Sequence, residues 1–421
     1  MNPRVRLCLA ALGLCLFGSG CVLGPGSLQH SRTNYNRAVQ QTAREEMLLN
    51  LVRLKYHQSE EFIRIPSITG QYTYDADIGG SGSWQEGVAT KLGLSLGVGV
   101  TSKPTIVYTP EQAQEFNRRL LAPISLETID LLTSKGWAFN RVLRVTVRNI
   151  NDVDNATSAG GPTPELQPEF EQFTYLANLF RELQQHGRQI EVAYEDRATS
   201  QPTQVSAEIP AESLEMEDVI LAAEKGYSIQ LSDDGKTQSL WTRPSLEQTL
   251  VLRVAPEAKS SPQMQEIRRI LELSPKESTY RLRSDTNGQL ARPHGSRKSD
   301  GAAIPDREEL VVSTRSLKEM MFYLSHGISV PCSHTEHGLV RSTYNYDGEP
   351  FDWGQMTGDL FRVNVQRTRP LNSAVAVKHR GYWFYIEESD LDSKSTFNLL
   401  LEIFNLEIRA GGGAQIPLLT I

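Results

Sequence analysis

Cysteine is scarce in this sequence. Its 421 residues include four cysteines. Cys8 and Cys15 fall within the first twenty residues, and Cys21 follows directly. Only Cys332 remains for the folded part, so no internal disulfide is possible and the core must stand on burial alone. Long basic runs are absent as well. The formal net charge is -7, with Lys and Arg scattered, which argues against a nucleic-acid partner. P-loop, dinucleotide-binding and HExxH patterns are missing, and no internal repeat recurs at a fixed period. Neither an enzyme nor a bound cofactor is expected.

What is present begins at the N-terminus. Arg4 and Arg6 precede an apolar run over 7–17 that is too short to span a bilayer, and small residues 18–20 lead to Cys21. This is the pattern of a secretory signal over 1–20. Its removal takes away two positive charges and no acid, leaving a more acidic mature chain. Small residues ending at a cysteine resemble a bacterial lipobox. Gly18 departs from that pattern, which usually has an aliphatic residue there. The resemblance implies cleavage before Cys21, a diacylglycerol thioether on its sulfur and an acylated (palmitate-type) amine, enough chains for a stable anchor. Val22, rather than Asp, implies sorting to the outer membrane, facing the periplasm. An ordinary cleaved signal with a free Cys21 is the plainer alternative.

The remainder reads as α+β, with an N-terminal amphipathic helix and β-hairpin followed by mixed helix and strand regions with antiparallel sheets. A lipidated tether covers 21–36. A helix-plus-hairpin region covers 37–160, a middle α+β region 165–285, a polar linker 286–308 and a C-terminal α+β region 309–421. Val39, Ala43, Met47, Leu48, Leu51, Val52 and Lys55 recur at helical spacing. Thr109-Pro110-Glu111-Gln112 and Ser316 with Glu319 read as capping boxes. Ser125 caps a helix that stops at Gly136, and Asp392 or Ser393 caps the helix near 395. "RVLRVTVRNI" (141–150) alternates and reads as a strand, with a helix as the alternative. Asp234-Gly235 centres a hairpin. The segment around Cys21 and the stretches "NLVRLKY…IPSIT" and "AVKHRGYWFYIEESDLDSKSTFNLLLEIFNL" resemble Gram-negative envelope lipoproteins, a resemblance that implies a location and no mechanism.

Two motifs have bland readings. Gly93-Leu94-Ser95-Leu96-Gly97 matches G-x-S-x-G, but a nucleophile serine needs a strand-to-helix turn, and here alternation runs straight through Ser95. His326, Cys332, His334 and His337 lie close together around Glu336 and have metal-binding chemistry, yet their spacing fits no standard finger. An exposed loop with opportunistic affinity is the expectation. The basic run "LARPHGSRK" reads as a solvated loop.

The hairpin carries more. Tyr72 and Tyr74 belong to one alternating segment; Leu92, Leu94, Leu96, Val98 and Val100 alternate with Gly and Ser in the next. Segments of this length, with an apolar face and aromatic ends, suit membrane strands. One hairpin alone leaves edges unsatisfied in lipid, so it would need several copies closing a barrel. A half-buried soluble hairpin gives the same period. The function expected is thus a lipid-anchored structural or assembly subunit of an envelope complex, contacting the membrane through its anchor and other proteins or copies of itself. The alternative is a periplasm-facing lipoprotein that binds a small ligand or metal.

Overall fold

The structure, a computed structural model, describes residues 23–65, 68–69, 72–82, 92–102, 105–110, 114–187, 189–198, 203–206, 208–210, 216–232, 235–242, 246–285 and 307–409. The expected signal over 1–20, Cys21, the stretch "LARPHGSRK" and the last residues, 410–421, lie outside these. The fold is mixed α+β with several antiparallel sheets. It divides into two compact units, each assembled from separated stretches: 1–121, 324–341 and 361–421 in one, 122–323 and 342–360 in the other. Composition gives no cue to these discontinuous units, because contacts between distant segments leave no local signal; the expected linker 286–308 lies mostly outside the described residues.

In the first unit, helix α1 runs Leu23–Lys55. It therefore starts inside the stretch expected as a tether. Pro25 sits in its first turn, where the missing N–H costs nothing. Met47, Leu48, Leu51 and Val52 are at most 2% exposed, and each such aliphatic side chain contributes about 1.5–3 kcal/mol by leaving water. Strands β1 (Tyr72–Gly82) and β2 (Leu92–Ser102) form a two-stranded antiparallel sheet. Thr109 and Pro110 do not open a helix. They pair with Arg64 and Ile63 as a two-residue ladder, and helix α2 begins later, Gln114–Leu121.

The second unit opens with α3 (Leu126–Ser134). Ser125 Oγ accepts from Thr128 N at 3.2 Å, and Gly136 follows at φ +98°. Next, 139–146 is helical: α4 (Phe139–Thr146), with strand β3 confined to Val147–Ile150. Leu143, Val145 and Val147 stand at alternate positions, while Phe139, Val142, Leu143 and Thr146 stand at helical spacing, and the helix takes them. Its last carbonyls are capped from afar. Asn155 Nδ2 donates to Arg144 O (3.0 Å) and Val147 O (2.6 Å), and Arg315 donates to Arg144 O (2.7 Å). Helix α5 (Glu171–Gln185), strand β4 (Ile190–Ala198) and helix α6 (Met216–Glu224) follow. Strands β5 (Tyr227–Leu231) and β6 (Thr237–Thr242) turn at Gly235, φ +69°. Strand β7 (Leu246–Val254), helix α7 (Pro262–Leu271), strands β8 (Thr279–Ser284) and β9 (Glu309–Thr314) come next. The main sheet has the order Val153–Asp154, β3, β9, β8, β7, β4. Helix α8 (Leu317–Ser325) starts with a reciprocal box: Ser316 N donates to Glu319 Oε2 (2.7 Å), and Glu319 N to Ser316 Oγ (3.2 Å).

The first unit resumes with the short helix α9 (Cys332–Glu336), so the expected loop contains a helical turn. Its three-stranded sheet has the order β10 (Asn364–Gln366), β12 (Tyr382–Glu387), β11 (Ser373–His379). Arg380 at φ +47° and Gly381 at φ +84° make the tight turn between β11 and β12, as a two-residue hairpin with both central φ positive requires. Helix α10 (Leu391–Phe404) is capped by Asp390, whose carboxylate accepts from Ser393 N at 3.0 Å. The cap thus precedes the expected Asp392 or Ser393.

Candidate functional site

The hairpin is built by an uninterrupted register of alternating positions. Tyr74 pairs with Val100, Ala76 with Val98 and Ile78 with Leu96, while Asp75 pairs with Gly99 and Asp77 with Gly97. Apolar positions of one strand are thus partners of apolar positions of the other. Leu92 and Leu94 pair with Gly82 and Gly80, and Tyr72 pairs with Ser102. Ser95 sits mid-strand opposite Gly79, with no helix beginning beside it. Each strand is 11 residues long. Between β2 and α2, Val107 and Tyr108 are exposed, as is Ile63 on the segment before β1. Among the described residues, no helix is long and apolar enough to cross a membrane.

The His/Cys segment takes a different shape. His326 is buried at the end of α8, and Cys332 is exposed at the start of α9. His334 is 9% exposed and spends Nδ1 on the Tyr56 hydroxyl, 2.7 Å away. His337 spends Nδ1 on Ser333 O at 2.5 Å. Among the described residues no group of three or more His, Cys, Asp or Glu is placed to hold a metal ion. The geometry does not draw these four side chains into one ligand set.

It draws His334 into a cluster that sequence reading missed. Tyr56, just past the end of α1, has the His334 ring at 5.6 Å and the His379 ring at 5.3 Å between centroids. The Arg380 guanidinium lies 5.4 Å from the same ring. Tyr382 touches His334 from the other side, 5.1 Å away. Burial pushes the Tyr56 phenol up to about 12, so it remains protonated beside His334. Burial and then the nearby Arg380 charge hold both histidines below the ordinary imidazole range. Among the described residues, His379 Nε2 is buried without a hydrogen-bond partner. Next along α1, Lys55 is 6% exposed, and burial lowers its amine to about 8. A run of polar residues after an apolar helix gave no cue to this, because the partners of Tyr56 come from nearly 300 positions away (|i−j| = 278 for His334).

Compared with protein-family models, curated proteins and solved structures, the chain matches none.

Proposed function

We propose that this chain is an outer-membrane-anchored lipoprotein, attached through Cys21 and facing the periplasm. It acts as a structural or assembly subunit of an envelope complex, and several copies each lend the β1–β2 hairpin to one membrane barrel. The observation that carries this reading is the hairpin register, in which Tyr74, Ala76 and Ile78 lie opposite Val100, Val98 and Leu96 within two 11-residue strands. Such strands extend about 35 Å, and at barrel tilts they cover about 25 Å of apolar thickness. Among the described residues the hairpin is a two-stranded sheet, with one edge of each strand unpaired in it. A lone two-stranded hairpin is marginal in water, and open edges are excluded from lipid. Pairing each open edge with the next copy resolves both problems. The exposed Ile63, Val107 and Tyr108 beside the strands suit an interfacial position.

Two experiments test this. Labelled palmitate should enter the wild-type chain in cells and be lost in Cys21→Ser; equal labelling refutes the anchor. Leu96→Asp places a charge on the lipid side of the proposed barrel and should abolish the detergent-extracted multimer while the α/β units keep their circular-dichroism signal. An unchanged multimer refutes the hairpin assignment.

A further inference from the structure

Helix α1 constrains how the first unit can lie. It is 33 residues long, about 50 Å at the helical rise per residue. Its first residue, Leu23, closely follows Cys21. Further along, Glu46 Oε1 accepts a hydrogen bond from Ile63 N at 2.6 Å, so the chain leading to β1 is rooted beside the middle of α1. Under the proposed function, lipid holds the first point at the membrane and the hairpin holds the second. Two such points about 35 Å apart on one helix lay α1 along the membrane surface. Its charges suit that position. From 23 to 44 it carries Arg32, Arg37 and Arg44 and no acid, and Arg32 and Arg37 are exposed.

The far end of α1 meets a cationic end of the three-stranded sheet. The Arg380 guanidinium lies 5.4 Å from the Tyr56 ring. Arg367 lies 5.4 Å from the Tyr382 ring, and Arg369 5.4 Å from the Trp383 ring. Lys378 stands opposite Trp383. The register explains this gathering. Gln366, the last residue of β10, also pairs with Trp383, next to the Arg380-Gly381 turn, so the segment after β10 starts at the same end as that turn. All four cations are exposed. No acid occurs from 361 to 386. Glu387 follows, but it pairs with Ser373 at the other end of the hairpin, about 17 Å from Tyr382 along the strand. Carboxylates of flanking segments are engaged by other cations, Glu61 by Arg53 and Glu388 by Lys394. Setting Glu336 of the neighbouring α9 against the four cations still leaves three positive charges with no ion pair among the described residues.

We propose that this end of the sheet, together with Arg32 and Arg37, rests on an anionic phospholipid surface, so that the first unit lies flat on the membrane its anchor and hairpin enter. The inference rests on the proposed function and adds the lipid class that the same unit selects. Charge complementarity sets the occupant. A cation–π contact uses no carboxylate, so the charges of Arg367, Arg369 and Arg380 stay uncompensated. Guanidinium groups match phosphate geometry, and basic residues at a surface are drawn to anionic head groups. Trp383 and Tyr382 beside them complete the mixture of aromatic and basic side chains found at membrane interfaces.

The test uses the mature chain with Cys21→Ser, diluted from detergent into vesicles of phosphatidylcholine alone or with one third phosphatidylglycerol. Flotation over a lipid titration gives the partition coefficient. Uptake by neutral vesicles reports the hairpin, and the gain on adding phosphatidylglycerol reports the cationic surface. That gain should be at least about tenfold at low salt and should vanish at about 1 M salt. Arg367→Gln with Arg369→Gln and Arg380→Gln should lose most of the gain while entering neutral vesicles like wild type. Equal partition of the wild type into both vesicles overturns the proposal, and so does a triple variant that keeps the full gain. Saturable binding of labelled polyglutamate without any lipid gain also overturns it, and assigns the surface to an acidic protein. Failure of the membrane hairpin looks different: neutral vesicles take up neither chain, while a salt-sensitive gain on anionic vesicles persists.

Discussion

The Arg315 guanidinium lies 4.1 Å from the centroid of the Tyr323 ring, with both side chains at most 1% exposed. Its nitrogens donate to carbonyls of Arg144, Val145 and Asn155. A cation stacked on an aromatic face, with carbonyls around its edge, replaces most of its lost hydration. These carbonyls belong to the end of α4 and the segment after β3, so Arg315 fastens β9 to both. Truncation would remove these donors and leave Arg144 O to Asn155 Nδ2 alone. Arg315→Ala is therefore expected to cost about 3 kcal/mol or more, measured by urea denaturation. Arg315→Lys keeps the charge and loses the fork, and should recover only part of the loss.

Arg144 tests a different arrangement. It is 2% exposed and grips Asp359 with two bonds of 2.7 and 2.8 Å, plus Met356 O at 2.7 Å. The bond from Arg144 holds the Asp359 carboxyl below its ordinary range. A depressed carboxyl contributes stability above its unfolded value of about 3.9 that is lost as pH falls through the folded value. Asp359→Asn should thus flatten the loss of stability below pH about 4. A wild-type acid limb in the variant would contradict the pairing.

Lys55 carries a penalty at neutral pH. Its amine is lowered from 10.5 to about 8 by burial alone. Between those values the unfolded chain binds the extra proton, so stability rises with pH across that window. Below about 8 both states are charged and the cost of burying the charge is fully present. Lys55→Met should be more stable than wild type at pH 7, by about 1–3 kcal/mol. The gap should narrow above pH about 8 and close only above about 10.5. A variant less stable at pH 7 would mean that the ammonium is held by favourable contacts.

Around Tyr56 the expected pH dependence falls in the acid range. His334 and His379 both sit below the ordinary imidazole value, through burial and then Arg380. A base with a depressed folded value contributes stability above its unfolded value near 6.5 and loses it as pH falls below that. Unfolding free energy should therefore drop between pH 7 and 5. His334→Gln with His379→Gln should remove much of that slope. Parallel curves for variant and wild type would place the acid sensitivity elsewhere.

The local features of this fold were legible because they are short-range. The Ser125 and Ser316 caps, the glycine stops and the two-residue period of β1 and β2 each lie within a few residues of what they specify. The stretch 139–146 misled because Leu143 and Val145, continued by Val147, alternate like a strand, while Phe139, Val142, Leu143 and Thr146 also stand at helical spacing. Thr109 and Pro110 carry good capping chemistry, but pairing with Ile63 and Arg64 claims them first. For the candidate sites, the hairpin was readable from alternation, whereas its partner-by-partner register needed the structure. His334 was visible as a ligand type, while the hydroxyl that occupies its Nδ1 lies 278 positions away.

The most direct test is the molar mass of the mature chain with Cys21→Ser, by light scattering without and then with detergent. The account predicts aggregation in buffer and a discrete multimer in detergent, lost in Leu96→Asp. A soluble monomer in buffer, unchanged by detergent, would contradict it and return the hairpin to an ordinary half-buried sheet.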